Sequence, residues 1–174
     1  MREKWTDRVF NFDIPAARMP CLLERLRGTA VRIEEQLRGV SAEHLHRRLG
    51  QTWSPQENIG HLLDIEALHL GRLDDFDAGL SQLRAADMSN QRTWDANHNA
   101  TPLECLLERF RMERVQLVGR LEAWSPERLD TSAVHPRLAV PMRVVDLAYF
   151  TAEHDDYHLA RVQELLTAFL HGRT

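Results

Sequence analysis

Apolar residues recur at helical spacing along most of the chain, and alternating stretches are nearly absent. The first run covers roughly residues 14–37, with Leu22, Leu23, Leu26, Val31, Ile33 and Leu37 as its apolar positions, until Gly39 breaks it. "SAEHL" then reads as one short turn. The second run has a strong start in "WSPQE": Ser54 is placed as N-cap, Pro55 at N1 and Glu57 at N3. This is a capping box with the proline where its missing N–H costs nothing. Trp53, just ahead of it, is placed to pack against Asn58 or Ile59. The run continues through Ile59, Leu62, Leu63, Leu70, Leu73 and Phe76 to about Leu80.

The third run repeats the start signal in "TPLE", with Thr101 as N-cap, Pro102 at N1 and Glu104 at N3. Leu103, Leu106, Leu107, Phe110, Leu117 and Leu121 carry it to about Trp124. "WSPER" opens a short turn, and a loop with "HPRLAVP" leads into a fourth helix, with Pro141 at N1, that runs to about Leu170. Four long helices with little strand pattern predict an all-α four-helix bundle, one domain over residues 1–174. The second connection, "SQLRAADMSNQRTWDANHNA", spans about 20 residues, long for a compact bundle. It predicts that the second and third helices are not simple antiparallel neighbours.

Composition narrows the partners. Apolar residues make up 43% and charged residues 28%, with a net charge of −4. Basic residues are scattered, so no nucleic-acid footprint is expected. No apolar stretch approaches the roughly 18 residues of a membrane span, and "MREKWTDRVF" lacks the apolar segment of a secretory signal. A cytoplasmic protein is expected, with Cys21 and Cys105 as free thiols packed in the core.

The histidines change the picture most. In "TAEHDDYHLARV", His154 and His158 are four residues apart, stacked on one helical face. Stepping by three or four from them meets Leu147, Thr151, Val162 and Leu165, which puts the pair on the core stripe. Buried imidazoles need partners, and a metal is one way to supply them. His61 lies beside Ile65 and Leu68 at the edge of the second helix's stripe, and a bundle lets facing helices converge on one site. Asp64, Glu66 and Asp155 are near enough in sequence to accept a ligand imidazole's second N–H. Glu66 reads as a general base, as such an acceptor, or as a buried acid paired with an arginine. Glu66 with His69 and Asp155 with His158 also echo a dinuclear carboxylate site, but no glutamate of the first or third helix stands mid-stripe to complete it. Trp94 and Asn97 line a pocket or pack against the bundle end. His44, His46, His98 and His171 carry no spacing signal and are expected in solvent.

"WSPQENIGHLLDIE" and "YFTAEHDDYHLARV" resemble the two signature segments of the DinB-like superfamily, and "HPRLAVPMRVVDLAYF" is similar to its YfiT-like branch. The resemblance covers roughly residues 12–170. It implies a four-helix bundle with one divalent transition metal (Zn, Ni or Fe) held by His61, His154 and His158. It implies an active-site rim at His135 and Arg137, where the arginine is suited to an anionic substrate. Relatives include metal-dependent hydrolases and transferases of low-molecular-weight thiols, and a homodimer is expected. Two routes stay open at a three-histidine site: water activated for hydrolysis, or a thiol held as thiolate on a small-molecule substrate's behalf. A non-enzymatic, stress-related bundle with a structural or captured metal is the alternative.

Overall fold

The structure, a computed structural model, describes residues 2–172. Four long helices form the bundle: α1 (Met19–Leu37), α3 (Pro55–Asp77), α5 (Leu103–Glu122) and α6 (Val144–Leu170). The short helices α2 (Ala42–His46) and α4 (Gln91–Asp95) sit in the connections. The principal packed pairs are α3 with α5, α3 with α6, α1 with α6 and α1 with α5.

Side-chain bonds across these pairs give the directions. Glu66 meets Arg114 and Asp74 meets Arg120, so α3 and α5 run parallel. Arg25 meets Glu153 while Gln36 reaches Leu159 and Gln163, so α1 and α6 are parallel too. Arg27 with Glu122 and Arg111 with Glu34 make α1 and α5 antiparallel. Asn58 with His158 and Thr151 with His69 do the same for α3 and α6. The topology is therefore up, down, down, up. The second connection joins parallel neighbours and must return the length of a 23-residue helix, about 35 Å. This is why it is long, and the expectation that these helices are not antiparallel neighbours holds.

Local signals explain the helix ends. The Ser54 capping box is formed: Ser54 Oγ accepts from the Glu57 amide at 3.1 Å, and Glu57 accepts from the Ser54 amide at 2.8 Å. Helix α3 stops at Asp77, short of Leu80, because Gly79 takes φ +65°. Gly79 then donates to Phe76 and Leu80 to Asp75, the paired bonds of a glycine-terminated helix. Helix α5 starts one residue later than its sequence signal. Pro102 is the cap, its carbonyl accepting from Cys105 and Leu106, and Thr101 instead gives its own carbonyl to Gln56. Helix α1 begins only at Met19, after a turn at Ala16–Arg18, and Val31 faces solvent.

Two elements differ from the sequence reading. Residues 132–143 form a hairpin, β1 (Ser132–His135) and β2 (Val140–Arg143), paired antiparallel with Val134 opposite Pro141. Pro141 therefore lies in an edge strand, where a missing N–H is tolerated. Helix α6 opens at Val144, with Asp146 accepting from the Arg143 amide at 3.0 Å. The second connection adds to this hairpin through Val134, whose amide donates to Ser81 and whose carbonyl accepts from Leu83. Cys21 and Cys105 are exposed free thiols and not core residues. Each is adjacent in sequence to stripe residues, Leu22 and Leu106, but one position off the stripe.

The core falls into two apolar clusters. Part of the layer between them is a buried network centred on Arg114. Its guanidinium bonds to Glu66 at 2.6 Å, to both oxygens of Asp155, to Thr29 Oγ1 and to the Leu26 carbonyl, tying all four long helices together.

Candidate metal centre

His61 on α3 and His154 and His158 on α6 are all buried, and each offers a ligand atom within 4.8 Å of the others. Among the described residues this is the one group of three or more potential ligands so placed. Ring centroids are 4.6 Å apart for His154 and His158, 4.8 Å for His61 and His158 and 5.3 Å for His61 and His154. Leu147, Thr151, Val162 and Leu165 are buried on the same face of α6, so the core stripe carries the pair inward.

Hydrogen bonds around the cluster fix how two imidazoles present their lone pairs. The Asn58 amide nitrogen donates to the Ser54 carbonyl at 2.8 Å and reaches the Trp53 carbonyl at 3.4 Å. Its oxygen is thereby left facing His158 Nδ1, 2.9 Å away. An amide oxygen only accepts, so His158 carries its proton on Nδ1 and keeps a lone pair on Nε2. The same logic holds for His61. Thr93 Oγ1 donates to Asp64 at 2.9 Å, so it accepts from His61 Nδ1–H at 3.1 Å. His98 Nε2 donates to the same Asp64 oxygen at 2.8 Å. His154 makes no such bond; its Nδ1 is buried without a partner among the described residues.

Electrostatics favour neutral rings. Burial pulls His61 down to about 4, opposed by Asp64 and assisted by His98. Burial, then the neighbouring histidines, hold His154 and His158 well below the usual imidazole value. Burial pushes the Asp64 carboxyl up, but the bonds from His98 and Thr93 outweigh it and hold it below the usual range. Three neutral imidazoles, two with the inward nitrogen deprotonated by their outer partners, fit a borderline divalent metal.

The cluster opens into a cleft of about 460 Å³. Trp53 flanks His61 at 4.6 Å and Trp5, from the N-terminal segment, meets His154 edge-on at 4.9 Å. Ile65, Leu68 and Phe150 give apolar walls, and His69, Arg72, His135 and Arg137 line the cleft beyond the cluster.

Glu66 is taken up by Arg114 and does not line the cleft, so of its three sequence readings the structure shows the buried acid paired with an arginine. Asp155 is likewise held by Arg114 and Thr29. With both acids bridged by one guanidinium, they form no dinuclear carboxylate site. Only Asp64 acts on a ligand imidazole, and it does so through Thr93. His135 and Arg137 do line the cleft, carried there by the hairpin. Trp94 and Asn97 are exposed; Trp94 leans on Trp53 at 5.6 Å. His98, expected in solvent, is buried against Gly60, where any Cβ would collide with its ring. Neither Asn58 nor Thr93 stands out in the sequence, because each acts on a histidine of another segment. The glycine at position 60 beside His61 was the one local hint of a close approach.

The sequence profile of the DinB superfamily matches residues 23–162. The chain belongs to the DinB superfamily. Among solved structures it is similar to YfiT from Bacillus subtilis, described as a probable metal-dependent hydrolase with an unusual four-helix bundle topology. The two share 13% identity at a TM-score of 0.75, over 96% of this chain and 95% of that one. At that identity the likeness establishes the shared fold. None of the curated proteins matches the sequence.

Proposed function

We propose that this DinB-superfamily chain is a mononuclear metal enzyme that hydrolyses a small molecule, with His61, His154 and His158 as the ligands. The observation that carries the reading is the convergence of three buried, neutral imidazoles on a cleft, two with their tautomers set from outside. A divalent metal held there supplies Lewis acidity, enough to make a water nucleophilic near neutral pH. The chain's own residues do the rest. Asn58 and the Asp64–Thr93 pair orient the imidazoles, and Trp5 and Trp53 cover them from bulk water. The cleft admits a substrate between Ile65, Leu68 and Phe150. Hydrolysis is favoured over a purely structural metal because a metal held by these three histidines alone would keep room for a water, and all three line the cleft.

The test begins with elemental analysis of protein purified without a polyhistidine tag. About one equivalent of a divalent metal is expected, lost in His61→Ala, His154→Ala and His158→Ala. The Co²⁺-substituted protein is expected to change its visible spectrum when a small exogenous ligand is added. Protein that cannot be loaded to near one equivalent would overturn the reading. A loaded protein that turns over activated esters and amides only when a low-molecular-weight thiol is present would replace hydrolysis with thiol transfer.

A further inference from the structure

Beyond the three histidines, the cleft is lined by Arg72, Arg137 and His135, with Asp87 as its one acid. Arg72 lies on α3 about three turns from His61 and is 2% exposed. Its Nε donates to the Arg84 carbonyl at 3.3 Å, and it has no ion pair among the described residues. The nearest acid acting on it, Asp75, is already engaged by Arg84 through Nη2 at 2.7 Å, Nε at 3.0 Å and the backbone amide at 2.7 Å. Burial draws Arg72 down to about 10, which leaves it charged at neutral pH.

Arg137, on the hairpin turn, reaches the same cleft. Its Nη1 donates to the Thr6 carbonyl at 3.4 Å, and its Nη2 is buried with no partner among the described residues. His135 is 2% exposed. Its Nδ1 accepts from the Leu138 amide at 3.2 Å, so its proton is on Nε2, and that atom too is buried without an acceptor. His69 Nε2 is a further buried nitrogen with no partner. Asp87 also lines the cleft, but its carboxylate accepts from the Ser89 amide and hydroxyl and from the Gln91 amide.

A desolvated cation without a partner is costly, and so is a buried N–H without an acceptor. Two guanidiniums and an imidazole N–H sharing one cleft are the donor set that an oxyanion satisfies. We propose that Arg72, Arg137 and His135 form an oxyanion subsite that holds a carboxylate or phosphoryl group of the substrate. This rests on the hydrolase reading only for the word substrate; the donor set stands without a metal. The substrate class is then a small acid whose scissile group is separated from its anionic end by an apolar stretch lying along Ile65, Leu68 and Phe150.

Calorimetric titration of metal-stripped, full-length protein with sodium phosphate, and separately with sodium acetate, in a chloride-free buffer tests the subsite. One equivalent of at least one ion is expected to bind. Arg137→Gln and Arg72→Gln are each expected to weaken it about tenfold; Arg137, the more exposed of the two, serves if Arg72→Gln does not fold. Phosphate alone binding names a phosphoryl substrate and acetate alone a carboxylate. Neither ion binding, or binding undiminished in Arg137→Gln, overturns the proposal. Because the readout needs no metal, a chain that binds the anion but no metal would sink the hydrolase reading alone.

Discussion

His158 Nδ1 lies 2.9 Å from the side-chain oxygen of Asn58, and the orientation of that amide is fixed by the carbonyls of Trp53 and Ser54. The turn that starts α3 thus determines which nitrogen of a histidine on α6 faces the cleft. Removing that acceptor leaves His158 free to rotate or to place its proton on the inward nitrogen. Asn58→Leu is expected to lower metal affinity about 10- to 100-fold, the usual effect of losing such a partner. Chelator competition against the parent protein measures it. An unchanged affinity would show that the amide does not set the tautomer.

Gly60 makes a second outer contact possible. The His98 ring packs where a Cβ at position 60 would stand, and from there donates to Asp64. Gly60→Ala must push His98 away, which removes a bond to the carboxylate that holds Thr93 and, through it, His61. We expect weaker metal binding together with lower stability of the metal-free protein. His98→Ala in the Gly60→Ala background separates the two, since it relieves the collision but not the lost bond. If that pair restores melting temperature while affinity stays low, the relay is functional. If affinity returns as well, only the collision mattered.

Much of this arrangement is legible in the residues themselves. The Ser54–Pro55–Glu57 cap, the stripe that carries His154 and His158, and the length of the second connection all follow from local or periodic rules. What escapes is set by partners far along the chain. His98 has no spacing signal because its partners Gly60 and Asp64 lie about one α3 turn apart on another segment. The strands at 132–135 and 140–143 are four residues each, too short for alternation to declare itself. Arg72 looks like one more charged position on a helix; only the surrounding chain shows that it is buried and unpaired.

Arg114 offers a test of the scaffold rather than the site. Its guanidinium bridges Glu66 and Asp155 and is itself desolvated; burial pulls its pKa down, but the two acids outweigh this and hold it above the ordinary value. Taking away one member of a buried ionic group costs about 3–5 kcal/mol, because the others are left uncompensated. Arg114→Met is expected to lose that much in urea unfolding of the metal-free protein. Adding Glu66→Met and Asp155→Leu is expected to recover much of it, since an apolar triad has no charge to strand. A loss under about 1 kcal/mol, the scale of exposed pairs, would mean the network is solvated in solution.

His135 gives a pH dependence whose direction is fixed by its burial. Desolvation, with the nearby charges of Arg72 and Arg137, lowers it to about 3. Unfolded, it returns to about 6.5. Above that value it is neutral in both states and its contribution to stability is fully present. As pH falls below it, the unfolded chain takes up a proton that the folded chain refuses, so stability is lost progressively down to about 3, at about 1.4 kcal/mol per pH unit. His135→Gln removes this one titration while the other buried histidines remain in both proteins. The variant's stability relative to the parent should therefore improve by about 2 kcal/mol between pH 7.5 and pH 5.0 in metal-free urea unfolding. A difference that stays constant across that range would show that His135 takes up its proton as readily in the folded protein as in the unfolded one. An anion bound between Arg72 and Arg137 would have that effect, so the measurement belongs in chloride- and phosphate-free buffer.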